Sequence, residues 1–228
     1  VGSGMMGSAL SFPLSDNGHE IRLVGTPLDD EIISFAIKTG EHKTLKRKLP
    51  AGIKYYYFSD FKTALEGADV LVGGVSSFGV DWFAKNVLPL VPKDMPVISV
   101  TKGMQDDEEG NLVPFPTLYK EKYGFAHHNL NAIGGPCTSY ELADHDPTEV
   151  CFCGKDVKAL KFLKNIFKTD YYNISISTDV VGVETAVAMK NAYALGVTLA
   201  VGLSEKIEGI GGTLHYNSQA GLFLQSVK

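Results

Sequence analysis

The sequence predicts an α/β fold built on a doubly wound, mostly parallel sheet. Short apolar strands alternate with helices over most of the chain, which is the order of βαβ units. Four strand ends carry glycine or small polar residues, and ligands of such sheets bind outside these carboxyl ends. The pattern then gives way to a long apolar stretch at residues 180–197, which predicts a helix.

The chain opens with a glycine motif, and the residues in its G-x-G-x-x-G spacing are Gly2, Gly4 and Gly7. Such glycines permit a tight turn, close approach of the backbone to a pyrophosphate and close helix packing. A helix over Met5–Asn17 with a kink at Pro13 should follow, and residues 20–24 predict the second strand. This order predicts half of a βαβ unit of the Rossmann-like, dinucleotide-binding kind, of whose first strand only Val1 is present.

The end of the second strand normally selects between cofactors, because an acid there binds the ribose 2′-hydroxyl and an arginine accepts a 2′-phosphate. Here the residues are Gly25, Thr26 and Pro27, which provide neither group, and Thr26 could bond either cofactor. Asp29 and the residue after it serve equally well as N-terminal charges on a helix over residues 31–39. The choice between NAD and NADP therefore stays open.

Further strands are predicted at residues 70–75, 97–100, 131–134, 149–153 and 171–176. Helices are predicted at residues 58–66, introduced by Ser59 or Asp60 as cap, and at 82–88, 115–123 and 157–167. The basic run 43–48 and the acidic run 106–111 predict solvated loops. The strand ends that we expect to face a ligand are the glycine motif, Ser76-Ser77, Thr101-Lys102 and Gly135–Ser139.

The apolar helix predicted over residues 180–197 has four polar residues among 18, namely Glu184, Thr185, Lys190 and Asn191. A helix that is apolar on all sides is expected to be buried. The Lys190 ammonium then either pairs with a carboxylate or extends to the edge of the buried region, or it transfers protons in a closed site. Glu184 and Asn191 share a stripe while Lys190 points about 120° away, so we interpret Glu184 as structural.

Composition narrows the function classes. The 228 residues are 44% hydrophobic with a net charge of −5, which gives no support for nucleic acid or an anionic membrane as a partner. We see no apolar run of membrane-spanning length and no signal peptide, so no membrane partner is expected. The three cysteines, Cys137, Cys151 and Cys153, predict a reducing cytoplasm and core thiols, with neither disulfides nor a metal site.

Taken together, these segments resemble NAD(P)-dependent glycerol-3-phosphate dehydrogenases over nearly the whole chain. The segments that carry the resemblance are Gly2–Gly7, Ser99–Gly103, Gly135-Pro136 with Glu141–Ala143, Pro147–Val150, and Asp179, Gly182, Glu184 and Lys190-Asn191. The departures from the family pattern are Met5-Met6, Val75 before Ser76, Cys137–Ser139 and Thr185–Val187.

The resemblance implies a role for each matching position. Lys190 would be the catalytic proton donor or acceptor, with Asn191 as its neighbour at the substrate. Lys102 would contact both cofactor and substrate. Gly135 and Cys137 would contact the substrate, whereas Met5, Met6 and Ser139 would contact the cofactor, which is NAD or NADP.

The resemblance also implies a cytoplasmic homodimer that interconverts dihydroxyacetone phosphate and sn-glycerol 3-phosphate for phospholipid synthesis. A cofactor domain would span residues 1–176, and an all-helical substrate domain would begin within residues 177–228. The family's Arg-Asn pair for the substrate phosphate and an active-site Asp would lie beyond Lys228. We therefore expect a fragment, or the ordered part, of a longer enzyme.

Two alternatives remain from the sequence. One is a related two-domain reductase of the hydroxyacid or ketopantoate type, which would not need the Thr101-Lys102-Gly103 segment. The other is a non-catalytic dinucleotide-binding module, which would have no reason to keep a lysine in a buried helix.

Overall fold

The computed structural model of the protein describes residues 1–107 and 109–209. The chain divides into two compact units, residues 1–187 and residues 188–228. The first unit contains every strand of the described chain, and the described part of the second continues one long helix. The sequence-predicted domain boundary after Ile176 stays a prediction.

The main sheet of the first unit has five strands in the order β3-β4-β7-β8-β9. Their bounds are β3 Leu71–Gly73, β4 Val97–Ser99, β7 Leu130–Gly134, β8 Thr148–Cys153 and β9 Tyr172–Ser177. All neighbours run parallel except β7 and β8, which are antiparallel. The mostly parallel sheet is thus confirmed. The antiparallel pair is possible because only the short helix α7 (Ser139–Ala143) separates β7 from β8.

A smaller parallel pair joins this sheet through the first residues of the chain. It consists of β1 (Arg22–Val24) and β2 (Lys54–Tyr56), the latter not predicted from the sequence. The Gly2 N–H donates to the Val24 carbonyl over 2.9 Å, and the Gly74 N–H donates to the Val1 carbonyl over 2.6 Å. Backbone hydrogen bonds therefore run from β1 through Val1-Gly2 to the end of β3.

The helices of the first unit are α1 Met5–Ala9, α2 Ser11–Asp16, α3 Asp30–Thr39, α4 Phe61–Leu65, α5 Val80–Asn86, α6 Phe115–Glu121, α7 and α8 Val157–Phe167. The single helix predicted over Met5–Asn17 is therefore two helices. Pro13 has no N–H to donate to Ala9, where α1 ends. A 3₁₀ turn at Phe58–Asp60 precedes α4, and neither Ser59 nor Asp60 caps it through its side chain.

The acidic loop predicted at residues 106–111 is the turn of a β-hairpin that the sequence did not predict, and among its described residues only Asp106 lies in a strand. Strand β5 (Met104–Asp106) pairs antiparallel with β6 (Leu112–Pro114). The Asp107 carboxylate accepts N–H groups of Glu109 and Asn111 in the turn. Aspartate favours turns because its side chain bonds nearby backbone, which explains the acidic composition.

Helices cover both faces of the main sheet. Ile98 packs in the cluster that includes Phe152, Leu160 and Phe167 of β8 and α8. The adjacent residue Val97 packs in another cluster, whose members include Phe83, Leu88 and Leu118. Because successive strand residues point to opposite faces, the two clusters lie on opposite sides of the sheet. This confirms the doubly wound architecture.

The last described element is α9, Val180–Glu208, and the prediction that it is buried on all sides is wrong. Among residues 180–199, Val180 and Glu184 are the buried side chains. Large apolar residues along its length are exposed, including Val181, Met189, Leu195 and Leu199. The apolar composition of α9 predicted that other residues would pack around it. Within the first unit, only its first two turns are packed in this way.

The prediction that no apolar stretch reaches membrane-spanning length also needs correction. The described part of the chain contains one helix, Val180–Ile207, that is long and apolar enough to cross a membrane, with a mean hydropathy of 1.4. Its polar residues, Lys190 among them, interrupt the apolar run but leave the mean hydropathy of the helix high. Length and composition alone carry this observation, and core helices of water-soluble proteins share both properties.

Candidate nucleotide-binding and active site

Three glycines make the junction between β1, β3 and α1. A Cβ atom on Gly2 would lie 2.6 Å from the Gly74 carbonyl carbon, and the Gly2 φ is +96°. A Cβ atom on Gly7 would lie 2.3 Å from the Gly2 carbonyl oxygen. Only glycine permits backbones to approach this closely. The sequence predicted this role for Gly2 and Gly7, but not for Gly74.

Gly4 differs from Gly2 and Gly7 because no protein atom lies close enough to exclude a side chain there. A Cβ atom on Gly4 would meet nothing closer than the Gly74 carbonyl oxygen, at 4.0 Å. Gly4 is the N-cap of α1, and no side chain caps that helix. The open side of the turn therefore suits an approaching anionic group, as the glycine spacing predicts. We call residues Gly2–Gly7 the glycine turn.

The Asp29 carboxylate ties the glycine turn to the end of β1. One of its oxygens, Oδ2, accepts the Ser3 N–H at 3.1 Å, the Thr26 N–H at 2.8 Å and the Thr26 hydroxyl at 2.8 Å. The interpretation of Asp29 as a helix N-terminal charge missed these contacts. An acidic group therefore stands where this fold normally contacts the adenine ribose.

Two hydroxyl groups bind the end of β4 to the end of β3. The Thr101 hydroxyl donates to the Val75 carbonyl over 2.8 Å, and the Ser99 hydroxyl donates to Thr101 Oγ1 over 2.9 Å. Both side chains are buried. Lys102, the residue after Thr101, is exposed.

Lys102 and Gly135 are brought together as the sequence predicted for neighbouring strand ends. The Lys102 ammonium donates to the Gly135 carbonyl over 3.3 Å. Gly135 has a φ of +148°, and a Cβ atom there would lie 3.0 Å from the Cα of Val150. The glycine thus allows β7 to end against β8 while its carbonyl faces the lysine.

The segment after Gly135 leads into α7. Cys137 is 3% exposed and Ser139 is 8% exposed, so both predicted ligand contacts are buried in this structure. Thr138 forms a capping box with Glu141, which fixes the start of α7. The three cysteines, all among the described residues, form no disulfide, and burial raises the pKa of Cys153 to about 12. Cys151 is half-buried rather than a core thiol.

Glu184 lies in the first turns of α9 with no solvent exposure, and among the described residues neither carboxylate oxygen has a hydrogen-bond partner. Burial raises its pKa to about 7, although the charge of Lys102 acts in the opposite direction. A carboxyl with such a pKa keeps its proton below about pH 7, where an exposed glutamate has already lost it. The sequence interpretation of Glu184 as merely structural did not anticipate a buried titrating group.

The remaining predicted site residues divide between the two units. In the first, Met5 and Ser76 are exposed and Met6 is half-buried, with Phe78 almost fully exposed two residues beyond Ser76. Lys190, half-buried, and Asn191, exposed, lie on the part of α9 that belongs to the second unit. Among the described residues, no cluster of histidine, cysteine, aspartate or glutamate could hold a metal ion.

A cavity of about 530 Å³ touches the glycine turn at Gly2 and Gly7 and extends toward the amino ends of β1 and β3. Its walls include Ile21 and Val70, which precede β1 and β3, and the apolar side chains of Phe61 and Ile166. Ligands of this fold bind at the opposite, carboxyl ends of the strands. We therefore place the candidate site at the glycine turn and at Lys102.

Residues 1–160 match the family model described as the N-terminus of NAD-dependent glycerol-3-phosphate dehydrogenase. The NADP(+)-dependent glycerol-3-phosphate dehydrogenase of Archaeoglobus fulgidus is 34% identical over 197 residues, which are 86% of this chain and 58% of that protein. A Streptococcus gordonii glycerol-3-phosphate dehydrogenase [NAD(P)+] is 32% identical over 89% of this chain and 59% of its own length.

Among solved structures, the glycerol-3-phosphate dehydrogenase of Plasmodium falciparum aligns with 99% of this chain and 62% of its own, with a TM-score of 0.77 and 20% identity. At that identity the likeness shows a shared fold. The chain thus spans somewhat less than two thirds of these relatives.

Proposed function

Because the chain belongs to the NAD-dependent glycerol-3-phosphate dehydrogenase family, we propose that the protein interconverts dihydroxyacetone phosphate and sn-glycerol 3-phosphate with NAD(H) or NADP(H). The observation that supports this best is the glycine turn, open at Gly4, together with Lys102 held at neighbouring strand ends. When bound, the nicotinamide cofactor supplies or accepts the hydride.

The proposed cofactor contacts come from the strand ends. They are Gly2, Gly4, Met5, Met6, Gly7, Thr26, Ser76, Lys102 and Ser139. The glycine turn suits the pyrophosphate because Gly4 has open space where a side chain would otherwise project. Thr26 and the Asp29 carboxylate that holds it stand at the end of β1, where the adenine ribose is expected.

Lys102 is proposed to contact cofactor and substrate. Its hydrogen bond to the Gly135 carbonyl limits the positions of an otherwise flexible side chain. A fixed ammonium can stabilise the negative charge that develops on the substrate oxygen during carbonyl reduction. The Gly135 backbone and Cys137 would complete the substrate contacts on this side.

Lys190 is proposed as the group that gives the substrate oxygen its proton, with Asn191 beside the substrate. As an ammonium group, Lys190 can donate a proton to the carbonyl oxygen as it is reduced. As a neutral amine, it can accept the hydroxyl proton of the alcohol in the reverse direction. Lys190 and Lys102 thus have separate roles, since one transfers a proton and the other stabilises charge.

We further propose a cytoplasmic homodimer whose all-helical substrate domain begins near Ser177 and whose product serves glycerophospholipid metabolism. These statements extend the family membership and need their own measurements. Sedimentation of the intact protein would give its oligomeric state, and fractionation of its host cells would give its location.

The test is a substrate panel with the intact protein. Oxidation of NADH and NADPH is followed with dihydroxyacetone phosphate, ketopantoate and small 2-keto acids in turn. We expect turnover with dihydroxyacetone phosphate and little with the others. Preference for ketopantoate or a keto acid would support the related reductase. Nucleotide binding with no turnover on any substrate would support the non-catalytic module.

A further inference from the structure

A buried histidine outside the predicted site holds the backbone of the glycine turn. His42 has no solvent exposure, although it lies at the edge of the basic run that the sequence predicted to be a solvated loop. Its Nε2 atom lies 2.8 Å from the Ser3 carbonyl oxygen, 39 residues away in the chain. The lysines around it are exposed, as predicted, whereas His42 and Leu45 point inward.

The partners of the ring define its tautomer. The Leu45 N–H donates to His42 Nδ1 over 3.0 Å, and the Thr44 N–H lies 3.2 Å from the same atom. Nδ1 therefore accepts and carries no hydrogen, so that Nε2 bears the hydrogen and donates it to Ser3. Burial lowers the pKa of His42, although the Ser3 bond and the charge of Asp29 act in the opposite direction.

His42 itself is held by a closed loop. Its backbone N–H donates to the Arg47 carbonyl over 2.9 Å, and its carbonyl accepts the Lys46 N–H over 2.9 Å. The Leu49 N–H donates to the Gly40 carbonyl over 2.8 Å, which closes the loop at its base. Because both ends are fixed, the ring is a rigid support and not a mobile side chain.

Ser3 is consequently fixed through both of its backbone polar groups. Asp29 accepts its N–H, while His42 donates to its carbonyl. Among the described residues, the Ser3 hydroxyl oxygen has no hydrogen-bond partner, so its own side chain does not hold the turn. The Ser8 hydroxyl adds a second, longer bond to the same carbonyl at 3.2 Å.

The direction of the Ser3 carbonyl decides where the next N–H points. The Ser3–Gly4 peptide is planar and trans, so its C=O and N–H groups point in opposite directions. Because the Ser3 carbonyl is directed at the buried His42 ring, the Gly4 N–H is directed the opposite way, away from that ring. Backbone N–H groups fixed in this way form anion sites.

We propose that His42 is a positioning residue for nucleotide binding, because its bond to the Ser3 carbonyl aims the Gly4 N–H at the cofactor pyrophosphate. The inference rests on the proposed binding of a nicotinamide nucleotide at the glycine turn. His42 touches neither cofactor nor substrate. Its effect passes through one peptide group.

Two substitutions separate this role from support of the loop. In His42→Gln, the amide nitrogen reaches the position of Nε2 and keeps a donor for Ser3, but the acceptor for Leu45 is lost. In His42→Asn, the amide oxygen takes the position of Nδ1 and keeps the Leu45 bond, but nothing reaches Ser3. His127→Asn, at an exposed histidine, is the control for the substitution itself.

The experiment measures dissociation constants for NADH and NADPH with the intact protein, and thermal unfolding of each variant on the same preparations. We expect about a tenfold weaker binding in His42→Asn, which corresponds to about 1.4 kcal/mol. His42→Gln should bind within about threefold of the wild type, about 0.7 kcal/mol, even where its melting temperature falls further. His127→Asn should change neither quantity.

A folded His42→Asn protein that binds as the wild type does would overturn the inference. Equal losses in His42→Asn and His42→Gln would also overturn it, since the loop and not the Ser3 bond would then be responsible. A wild-type protein that binds neither nucleotide would instead overturn the proposed function, and this inference with it.

Discussion

Gly7 lies so close to Gly2 that a Cβ atom on Gly7 would come within 2.3 Å of the Gly2 carbonyl oxygen. Glycine is therefore present at two positions of this motif for different physical reasons. Gly7 is required by the protein's own backbone, whereas Gly4 faces open space and would lie 4.0 Å from its nearest neighbour if it carried a Cβ atom. Their substitutions should therefore separate folding from binding.

We expect Gly7→Ala to lower the free energy of unfolding by about 1–3 kcal/mol or more, because the backbone must move to relieve the clash. Gly4→Ala should stay within about 1 kcal/mol of the wild type. It should nevertheless weaken nucleotide binding by about tenfold or more, about 1.4 kcal/mol, because the added methyl group occupies the space for the ligand. Denaturant unfolding and nucleotide titration of both variants check this, and tight nucleotide binding by Gly4→Ala would contradict it.

Cofactor preference should depend on Asp29. The sequence left the choice between NAD and NADP open, because Gly25, Thr26 and Pro27 provide neither an acid nor an arginine. The structure adds the Asp29 carboxylate, which accepts the Thr26 hydroxyl at 2.8 Å. A negative charge there repels a 2′-phosphate. We expect Asp29→Asn to raise kcat/KM for NADPH relative to NADH by about tenfold, which is about 1.4 kcal/mol.

The adjacent and exposed Asp30 provides the control for this substitution. Asp30→Asn removes the same charge one residue away and should leave the ratio of the two specificity constants nearly unchanged. An equal shift in both variants would show that general charge, and not the position of Asp29, sets the preference.

Particular elements show what the sequence can predict. Helix α8 begins and ends where the pattern placed it, because its apolar stripe is regular and the Asp156 side chain caps it. Strand β2 was missed because Lys54–Tyr56 is short and its aromatic residues do not alternate with polar ones. The antiparallel direction of β8 was also missed, since a strand of Thr148–Cys153 has the same pattern in either direction.

The site shows the same division. Glycine spacing predicted the turn, and the order of strand ends placed Lys102 beside Gly135, because these effects are local or follow from topology. His42 had no signal, since one histidine in a basic loop does not reveal that it reaches Ser3. The prediction that α9 is buried was wrong, because an apolar composition indicates that a helix packs against something but does not identify the residues that would pack on it.

Lys190 gives the most direct test of the proposed chemistry. We expect Lys190→Met to lower kcat by about a hundredfold to ten-thousandfold, because the proton donor is lost while the length and apolar stem are kept. The dissociation constants for NADH and NADPH should change little, since Lys190 lies outside the unit that holds the glycine turn. The loss should fall on kcat more than on KM, as expected for an interaction with the transition state.

Lys206→Met is the matched control, because this lysine is exposed in the last turn of the same helix. It should retain wild-type turnover and nucleotide binding. Steady-state kinetics and thermal unfolding on one preparation of the intact protein check both variants. A fully active Lys190→Met protein would remove the proposed proton donor, and a change in melting temperature alone would make Lys190 structural.

Glu184 predicts how stability depends on pH. Its pKa is raised from 4.5 to about 7, with burial as the main cause, so the folded state keeps a proton that the unfolded state has lost between these values. Stability should therefore fall as pH rises from about 4.5 to about 7, by an amount on the order of 3 kcal/mol in total. Glu184→Gln keeps the shape but cannot ionise, so this loss should disappear. Glu205→Gln, at an exposed position of the same helix, should leave it in place. Unfolding free energies at about pH 5 and about pH 8 test this, and an undiminished pH dependence in Glu184→Gln would show that another group is responsible.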